Sequence, residues 1–181
     1  MKKRKGVLNV DVSRCMGCHS CEMACAIAHS ESKELLGAIR QKVRPQSRVH
    51  LEVVDEVVVP LQCRQCEDAP CIAVCPTGSL ERFGLGQPLV HHEDKCIGCK
   101  MCTVICPFGV ITQRSDGKSV IVCDLCMERA VNGEDPACVY GCPTHALKCM
   151  TLEEIAKEKR RKAAESMKKA DEDSKHTVGT D

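Results

Sequence analysis

The strongest run of apolar positions lies between Arg48 and Pro60, where Val49, Leu51, Val53 and Val54 are followed by Val57, Val58 and Val59 across the acidic pair Asp55 and Glu56. β-Branched residues in partial alternation on either side of two acidic residues predict a hairpin or a pair of strands. Shorter strands are expected at 88–91 and 119–122, each preceded by a turn signal, Gly84-Leu-Gly86 and Asp116-Gly117 respectively. Ahead of the hairpin, the segment from Cys25 through Ser30 reads as a short helix. A second helical stretch follows from Lys33 to Val43, stopped by Pro45. From Thr151 the pattern changes to Leu152, Ile155 and Ala156 set among Lys, Arg and Glu. With Thr151 as N-cap and Glu153 and Glu154 in the first turn, it predicts a helix over 151–170, then a flexible tail over 171–181. No stretch approaches the roughly 18 consecutive apolar residues of a membrane-spanning helix.

Composition changes this picture. The chain has 181 residues, yet aromatic content is 2%, with no Trp, two Phe and one Tyr. That is too little aromatic mass for an ordinary core, whereas Cys supplies 17 residues. Bound inorganic groups can replace the missing burial, because their binding free energy serves as folding free energy. A secreted disulfide scaffold is the competing explanation. The chain opens Met-Lys-Lys-Arg-Lys-Gly and reaches Cys15 without the apolar run of a signal peptide, and the cysteine count is odd. These features favour thiolate chemistry in a reducing compartment, and a cytoplasmic location is expected. The formal charge of +1 gives no support to nucleic-acid binding.

All cysteines but Cys149 fall into four quartets. Two are compact and alike, Cys15/Cys18/Cys21/Cys25 and Cys96/Cys99/Cys102/Cys106. Two are expanded in the second gap, Cys63/Cys66/Cys71/Cys75 and Cys123/Cys126/Cys138/Cys142. Each opens with two intervening residues and closes with three. Three closures are followed by Pro, at Pro76, Pro107 and Pro143, where a fixed φ ends a helical turn; Ala26 follows the first.

A 4Fe-4S cluster needs four thiolates, three of which a compact loop can supply while its N–H groups point at the sulfides. In two-cluster ferredoxins with this spacing the fourth Cys of each run ligates the other cluster. Structural zinc also uses close cysteine pairs, so a zinc-stapled interaction module is the alternative, but zinc has no need of a third Cys so soon. A redox enzyme in its own right is disfavoured: no Gly-x-Gly-x-x-Gly follows a strand and there is no P-loop. Cys149 has no quartet and reads as a small buried or idle thiol.

The order of the quartets, the segment Cys63-Arg-Gln-Cys-Glu-Asp-Ala-Pro-Cys71 and the closure Cys75-Pro-Thr-Gly resemble the four-cluster electron-transfer subunits of molybdopterin oxidoreductases. The resemblance covers about 7–150 and implies an α+β fold of two bacterial-ferredoxin-like modules, one inserted in the other, organised around four 4Fe-4S clusters, with a C-terminal helix. Residues 1–60 and 110–150 would form the outer lobe, and 61–109 the inserted one. The family's ligand pattern then implies Cys15, Cys18, Cys21 and Cys142 for one cluster and Cys123, Cys126, Cys138 and Cys25 for its neighbour. In the inserted lobe it implies Cys63, Cys66, Cys71 and Cys106 for one, and Cys96, Cys99, Cys102 and Cys75 for the other. Some quinol-linked relatives lack a ligand cysteine in the third quartet and hold a 3Fe-4S cluster, but all four are present here.

The opening from Cys15 to Ser30 is further similar to the iron-sulfur partners of nickel carbon monoxide dehydrogenases, which implies such an enzyme as catalytic partner. Ferredoxin subunits of formate dehydrogenases or hydrogenases are the alternative, with a second redox partner in either case. No catalytic residue and no direct membrane span are expected. Arg14, Arg64, Lys95 and Lys100 stand near cysteines and are candidates for tuning cluster potential. Met16 and Ile97, at equivalent places in the compact quartets, are expected to shield clusters from water. His19 reads as a surface turn residue, and His29, His91 and His92 as structural or solvent-facing.

Overall fold

The computed structural model describes residues 6–84 and 87–177, with side chains of the last helix through Glu172. In chain order its elements are β1 (Val7–Val10), a 3-10 turn (Val12–Arg14), α1 (Ser20–Ala28), α2 (Leu35–Arg40), β2 (Val49–Val54), β3 (Val57–Gln62), α3 (Pro70–Ala73), β4 (Leu80–Glu81) and β5 (Val90–His91). There follow a second 3-10 turn (Glu93–Lys95), α4 (Met101–Ile105), β6 (Thr112–Gln113), β7 (Val120–Ile121), α5 (Met127–Val131), α6 (Ala137–Tyr140), β8 (Leu147–Met150) and α7 (Leu152–Thr177).

The strands pair as four antiparallel two-stranded sheets: β1 with β8, β2 with β3, β4 with β5 and β6 with β7. The first of these closes the chain on itself, setting Val7 opposite Met150 and Val10 opposite Leu147. Below β1–β8, α1 packs on α6. The contact requires Gly141, since a Cβ there would stand 2.7 Å from the Ala24 methyl carbon. The expected hairpin is β2–β3; Asp55 and Glu56 both take left-handed φ, 47° and 67°, the geometry of a tight two-residue hairpin turn.

Buried residues gather in two groups. One holds Cys21, Cys25, Val49, Cys138, Cys142 and Leu147. The other holds Cys71, Leu80, Leu89, Cys102, Ile111 and Val120, and α3 packs on α4 beside it. Cysteine thus supplies much of the first and, through Cys66, Cys75, Cys96 and Cys106 packed against it, the margin of the second, in keeping with the scarcity of aromatic residues.

Several expectations need correction. The first helix is not centred after Cys25 but runs from Ser20 to Ala28, so Cys21 and Cys25 stand one turn apart on it. The second is confined to Leu35–Arg40 because Lys33 has φ 59° and its N–H is held by the Ser30 hydroxyl, 2.9 Å away, in a turn that no helix can include. The strands at 88–91 and 119–122 exist as β5 and β7, but each is two residues long. The turn expected at Gly84-Leu-Gly86 falls partly on 85–86, outside the described residues. The last helix continues through 171–177, read above as tail, because neither Gly nor Pro interrupts the sequence from Leu152 to Thr177; 178–181 lie outside the described residues. Among the described residues no helix is long and apolar enough to cross a membrane.

Candidate metal centres

The two compact quartets fold alike. A 3-10 turn leads into Cys15 and into Cys96, Gly17 and Gly98 both take φ 68°, and His19 and Lys100 follow with φ 58° and 63°. Each left-handed pair reverses the chain, with the first two cysteines ahead of the helix and the third, Cys21 or Cys102, in the first turn of α1 or α4. At Gly98 no other residue fits, since a Cβ would lie 2.8 Å from the Lys118 carbonyl oxygen. The expanded quartets reach the same end differently. Gln65 (φ 52°) turns the second, and Leu125 and Cys126 (φ 55° and 52°) turn the fourth, before α3 and α6 return Cys71 and Cys138.

The structure places the last cysteine of each quartet beside cysteines of another. Cys142 lies where its charge acts on Cys18 and Cys21, and Cys15 packs on the buried group that contains both Cys21 and Cys142. Cys25 acts on Cys123 and Cys138, and Cys126 on Cys138. Cys63, Cys66, Cys71 and Cys106 line one cavity. Cys96, Cys99, Cys102 and Cys75 line another. No disulfide joins any two of these sixteen. Of the sixteen, Cys18 and Cys99 are the exposed ones, one in each compact loop.

Burial dominates the thiol chemistry. It pushes Cys21 and Cys71 up to about 11, and Cys123 and Cys138 well above the ordinary thiol range. The closing cysteines Cys75 and Cys142 go the other way. Burial raises Cys75 too, but hydrogen bonds from the Ser79 hydroxyl, the Leu80 N–H and Thr77 outweigh it and bring the thiol down to about 6. Cys142 is lowered against the same effect of burial by the Leu147 N–H and the Thr144 hydroxyl. Thiols buried at neutral pH with their neighbours' charges against them are groups that a metal must deprotonate, which a cationic iron core does. A further sign of fit is Arg82, whose Nε and Nη2 are buried without a hydrogen-bond partner beside the Cys63 and Cys66 set. A tetrathiolate iron-sulfur group supplies the missing negative charge, so the residues present fit it.

Around the fourth quartet a polar network forms that the sequence did not reveal. His29 Nδ1 donates to the Cys25 carbonyl oxygen at 2.8 Å and lies 3.7 Å from Cys25 Sγ; Nε2 stands 3.2 Å from Asp124 Oδ1 and 3.9 Å from Cys126 Sγ. Arg48 binds the same Asp124 oxygen at 2.8 Å, and its N–H donates to Cys25 Sγ at 3.2 Å. Burial opposes the charged imidazole, but the hydrogen bonds to Asp124, Cys126 and Cys25 prevail and raise His29 to about 12. The His29 side chain is only 14% exposed, so it is structural and not solvent-facing. The one signal for it in sequence is its spacing, four residues after Cys25 on the same helical turn. His29, Asp124 and Cys126 also border a cleft of about 430 Å³ that reaches Lys33, Arg129 and Tyr140.

The other candidates are placed as follows. His19 is a surface turn residue, 63% exposed and paired with Glu22; His92 pairs with Glu81, and His91 is half-buried. Arg14, Lys95 and Lys100 are exposed, and Arg64 lies over the Phe108 ring at 5.9 Å. Among the described residues Arg82 brings its guanidinium to a cysteine carbonyl, that of Cys66, whereas Arg48 reaches Cys25 Sγ through its main-chain N–H and turns its guanidinium to Asp124; neither is singled out by its sequence neighbours. Met16 and Ile97 are 66% and 67% exposed, which corrects their expected shielding role: side chains that open exclude little water. Cys149 stands on β8 opposite Leu8 and packs on the first buried group.

Residues 54–152, more than half of the chain, match the sequence profile of the 4Fe-4S dicluster domain. An iron-sulfur protein of Rhodospirillum rubrum is 41% identical over 163 residues, covering 83% of this chain and 85% of that one. The electron transport protein HydN of Escherichia coli K12 is 37% identical over 173 residues, covering 85% and 94%. The thiosulfate reductase electron transfer subunit PhsB of Salmonella typhi is 34% identical over 145 residues, covering 80% and 74%. With the quartets, their buried thiols and these relatives together, the chain belongs to the 4Fe-4S dicluster domain family, as an iron-sulfur electron-transfer protein that holds multiple 4Fe-4S clusters.

Proposed function

We propose that the chain holds four such clusters and carries single electrons between a catalytic oxidoreductase and a second redox partner, with no substrate chemistry of its own. The observation that carries this reading is the delivery of a fourth cysteine from a distant quartet to each group of three: Cys142, Cys25, Cys106 and Cys75. The ligand sets are then Cys15/Cys18/Cys21/Cys142, Cys123/Cys126/Cys138/Cys25, Cys63/Cys66/Cys71/Cys106 and Cys96/Cys99/Cys102/Cys75. Each cluster supplies a site that takes up and releases one electron.

The two buried groups support a division into an outer and an inserted lobe, but Ile111, Val120 and Val122 belong to the second group. The inserted lobe, expected over 61–109, therefore extends to about 122, and the outer one is left with 1–60 and the remainder up to 150. Adjacency of the sets supports a linear order. Cys138 feels the charge of Cys21, and Gln65 in the second quartet bonds the Cys123 carbonyl of the fourth. The ends of that order are the sets containing Cys18 and Cys99, whose exposure leaves them nearest a docked partner. What the protein does is hold each set in place and bury most deeply the set of Cys25, Cys123, Cys126 and Cys138.

For the catalytic partner we propose a nickel carbon monoxide dehydrogenase, on the likeness of residues 15–30. The test is anaerobic. Purified chain should be brown, contain iron and sulfide in equal amounts, and be bleached by carbon monoxide when mixed with that enzyme. Bleaching by formate or hydrogen through the corresponding dehydrogenase or hydrogenase, and none with carbon monoxide, would replace the partner. A colourless zinc protein would remove the electron-carrier reading altogether.

A further inference from the structure

Arg82 follows β4 and turns inward. Its Nη1 donates to the Cys66 carbonyl oxygen at 2.7 Å, while Nε and Nη2 are buried and have no hydrogen-bond partner among the described residues. None of the ion pairs among those residues includes it; the nearest carboxylate in sequence, Glu81, is taken by His92. A guanidinium remains charged under all ordinary conditions, and a buried cation without a counter-ion is costly. The neighbours that can offset it are thiolates. Its charge reaches Cys63, and Cys63 and Cys66 share their cavity with Cys71 and Cys106.

We infer that Arg82 is the built-in counter-ion of the cluster held by Cys63, Cys66, Cys71 and Cys106, and that it sets that cluster's reduction potential above the value the same four thiolates would give alone. The inference rests on the ligand set proposed above. The sign follows from charge. Reduction adds one negative charge to the site, so a fixed cation at short range in a medium of low dielectric favours the reduced form. The hydrogen bond to the Cys66 carbonyl also fixes the direction of the guanidinium plane, making Arg82 a positioning residue for the loop as well as a charge. This set lies in the middle of the proposed order, so its potential decides whether an electron rests there or passes on.

Two substitutions separate charge from structure. Arg82→Gln keeps a donor for the Cys66 carbonyl and loses the charge; Arg82→Lys keeps the charge as a single ammonium without the guanidinium fork. Each full-length holoprotein is titrated anaerobically with dithionite and ferricyanide while the paramagnetic signals are followed. With iron and sulfide equal to wild type, Arg82→Gln should move one midpoint to lower potential and leave the others in place, and Arg82→Lys should hold that midpoint near its original value. The midpoint that moves should be the one that disappears in Cys106→Ser. Four unmoved midpoints in a fully loaded Arg82→Gln protein overturn the inference, as does an equal shift in Arg82→Lys, which points to loop geometry in place of charge. Should Arg82→Gln lose iron, the Lys variant decides: full iron with an unmoved midpoint sustains the counter-ion, and loss of the same cluster overturns it. If Cys106→Ser removes no midpoint, the ligand set fails instead, and the two failures are thereby distinct.

Discussion

Gln65 Nε2 donates to the carbonyl oxygen of Cys123 across 2.7 Å, while Gln65 Oε1 accepts from the Leu89 N–H at 2.8 Å. A single amide thus ties the second cysteine loop to the fourth and to Leu89 beside β5, from a residue with a left-handed backbone. Replacing it by Leu leaves both backbone groups without partners. Each such loss costs about 1–3 kcal/mol. Gln65→Leu should therefore lose its visible absorbance at a lower urea concentration than wild type under anaerobic conditions, and an unchanged midpoint would mean that the two loops hold together without it.

The cross-delivery of cysteines makes a prediction that sequence order alone would invert. Cys106 is contiguous with Cys96, Cys99 and Cys102, yet it lines the cavity of Cys63, Cys66 and Cys71. Cys106→Ser and Cys71→Ser should each abolish the same paramagnetic signal, and the double variant should lose no more than either single one. Cys96→Ser should abolish a different signal, shared with Cys75→Ser. Complementary losses between Cys106 and Cys96 would break the proposed sets.

Much of this was legible because cysteine spacing is a covalent-scale constraint: three thiols within seven residues can face one centre whatever surrounds them. The β2–β3 hairpin and the Thr151 cap were legible for the same reason, being local. What was not legible is contact between distant segments. β1 and β8 are four residues each, too short to alternate convincingly, and their pairing joins the two ends of the cysteine-bearing region. The His29–Asp124 contact spans 95 residues, and the Gln65–Cys123 bond 58. Nothing in the neighbourhood of Arg82 in sequence tells that its guanidinium is buried.

His29 bridges α1 to the Asp124 turn, and its removal tests how much of the outer set depends on that bridge. His29→Phe fills similar space but deletes the bonds to the Cys25 carbonyl and to Asp124, at a cost of about 2–3 kcal/mol for a partly buried, charge-assisted pair. His29→Gln should recover part of it. Combined with Asp124→Ala, the loss should be less than the sum of the single effects by about 1–2 kcal/mol, as for residues in one network. The measurement is anaerobic denaturant unfolding read by cluster absorbance; strict additivity would show that ring and carboxylate act independently.

At the start of α7, the Thr151 hydroxyl lies 3.2 Å from the Glu154 N–H, and Glu154 Oε2 accepts from the Thr151 N–H at 2.8 Å: a reciprocal capping box. Those bonds from the Thr151 N–H and hydroxyl hold the Glu154 carboxyl below its ordinary value. A carboxyl lowered in the folded chain stabilises it above the unfolded value, and that contribution is lost as pH falls through the folded one, so at neutral pH it is complete. Thr151→Ala should weaken the helix by about 1 kcal/mol. Faster amide exchange confined to the first turn of α7 would register it, whereas Glu154→Gln, which keeps an acceptor, should exchange close to the wild-type rate.

Removing the metal should unfold most of the chain and spare α7. β4–β5 and β6–β7 offer two residue pairs each, and two-stranded sheets are marginal in water even when longer. The first buried group is half thiol, and the second sets Cys71 and Cys102 among a few aliphatic side chains with Cys66, Cys75, Cys96 and Cys106 packed against it. Without iron those thiols offer little apolar area to offset chain entropy, and binding free energy no longer contributes to folding. By contrast α7 is exposed over most of its length, holds its own cap and carries the i,i+4 pairs Arg161–Glu165 and Lys168–Glu172. Treatment with ferricyanide and EDTA under reducing protection of the thiols should bleach the protein, render residues 6–150 sensitive to protease and leave a residual helical circular dichroism signal. An apoprotein that keeps protease resistance across Cys63–Cys142 would show that the aliphatic cores suffice without the clusters.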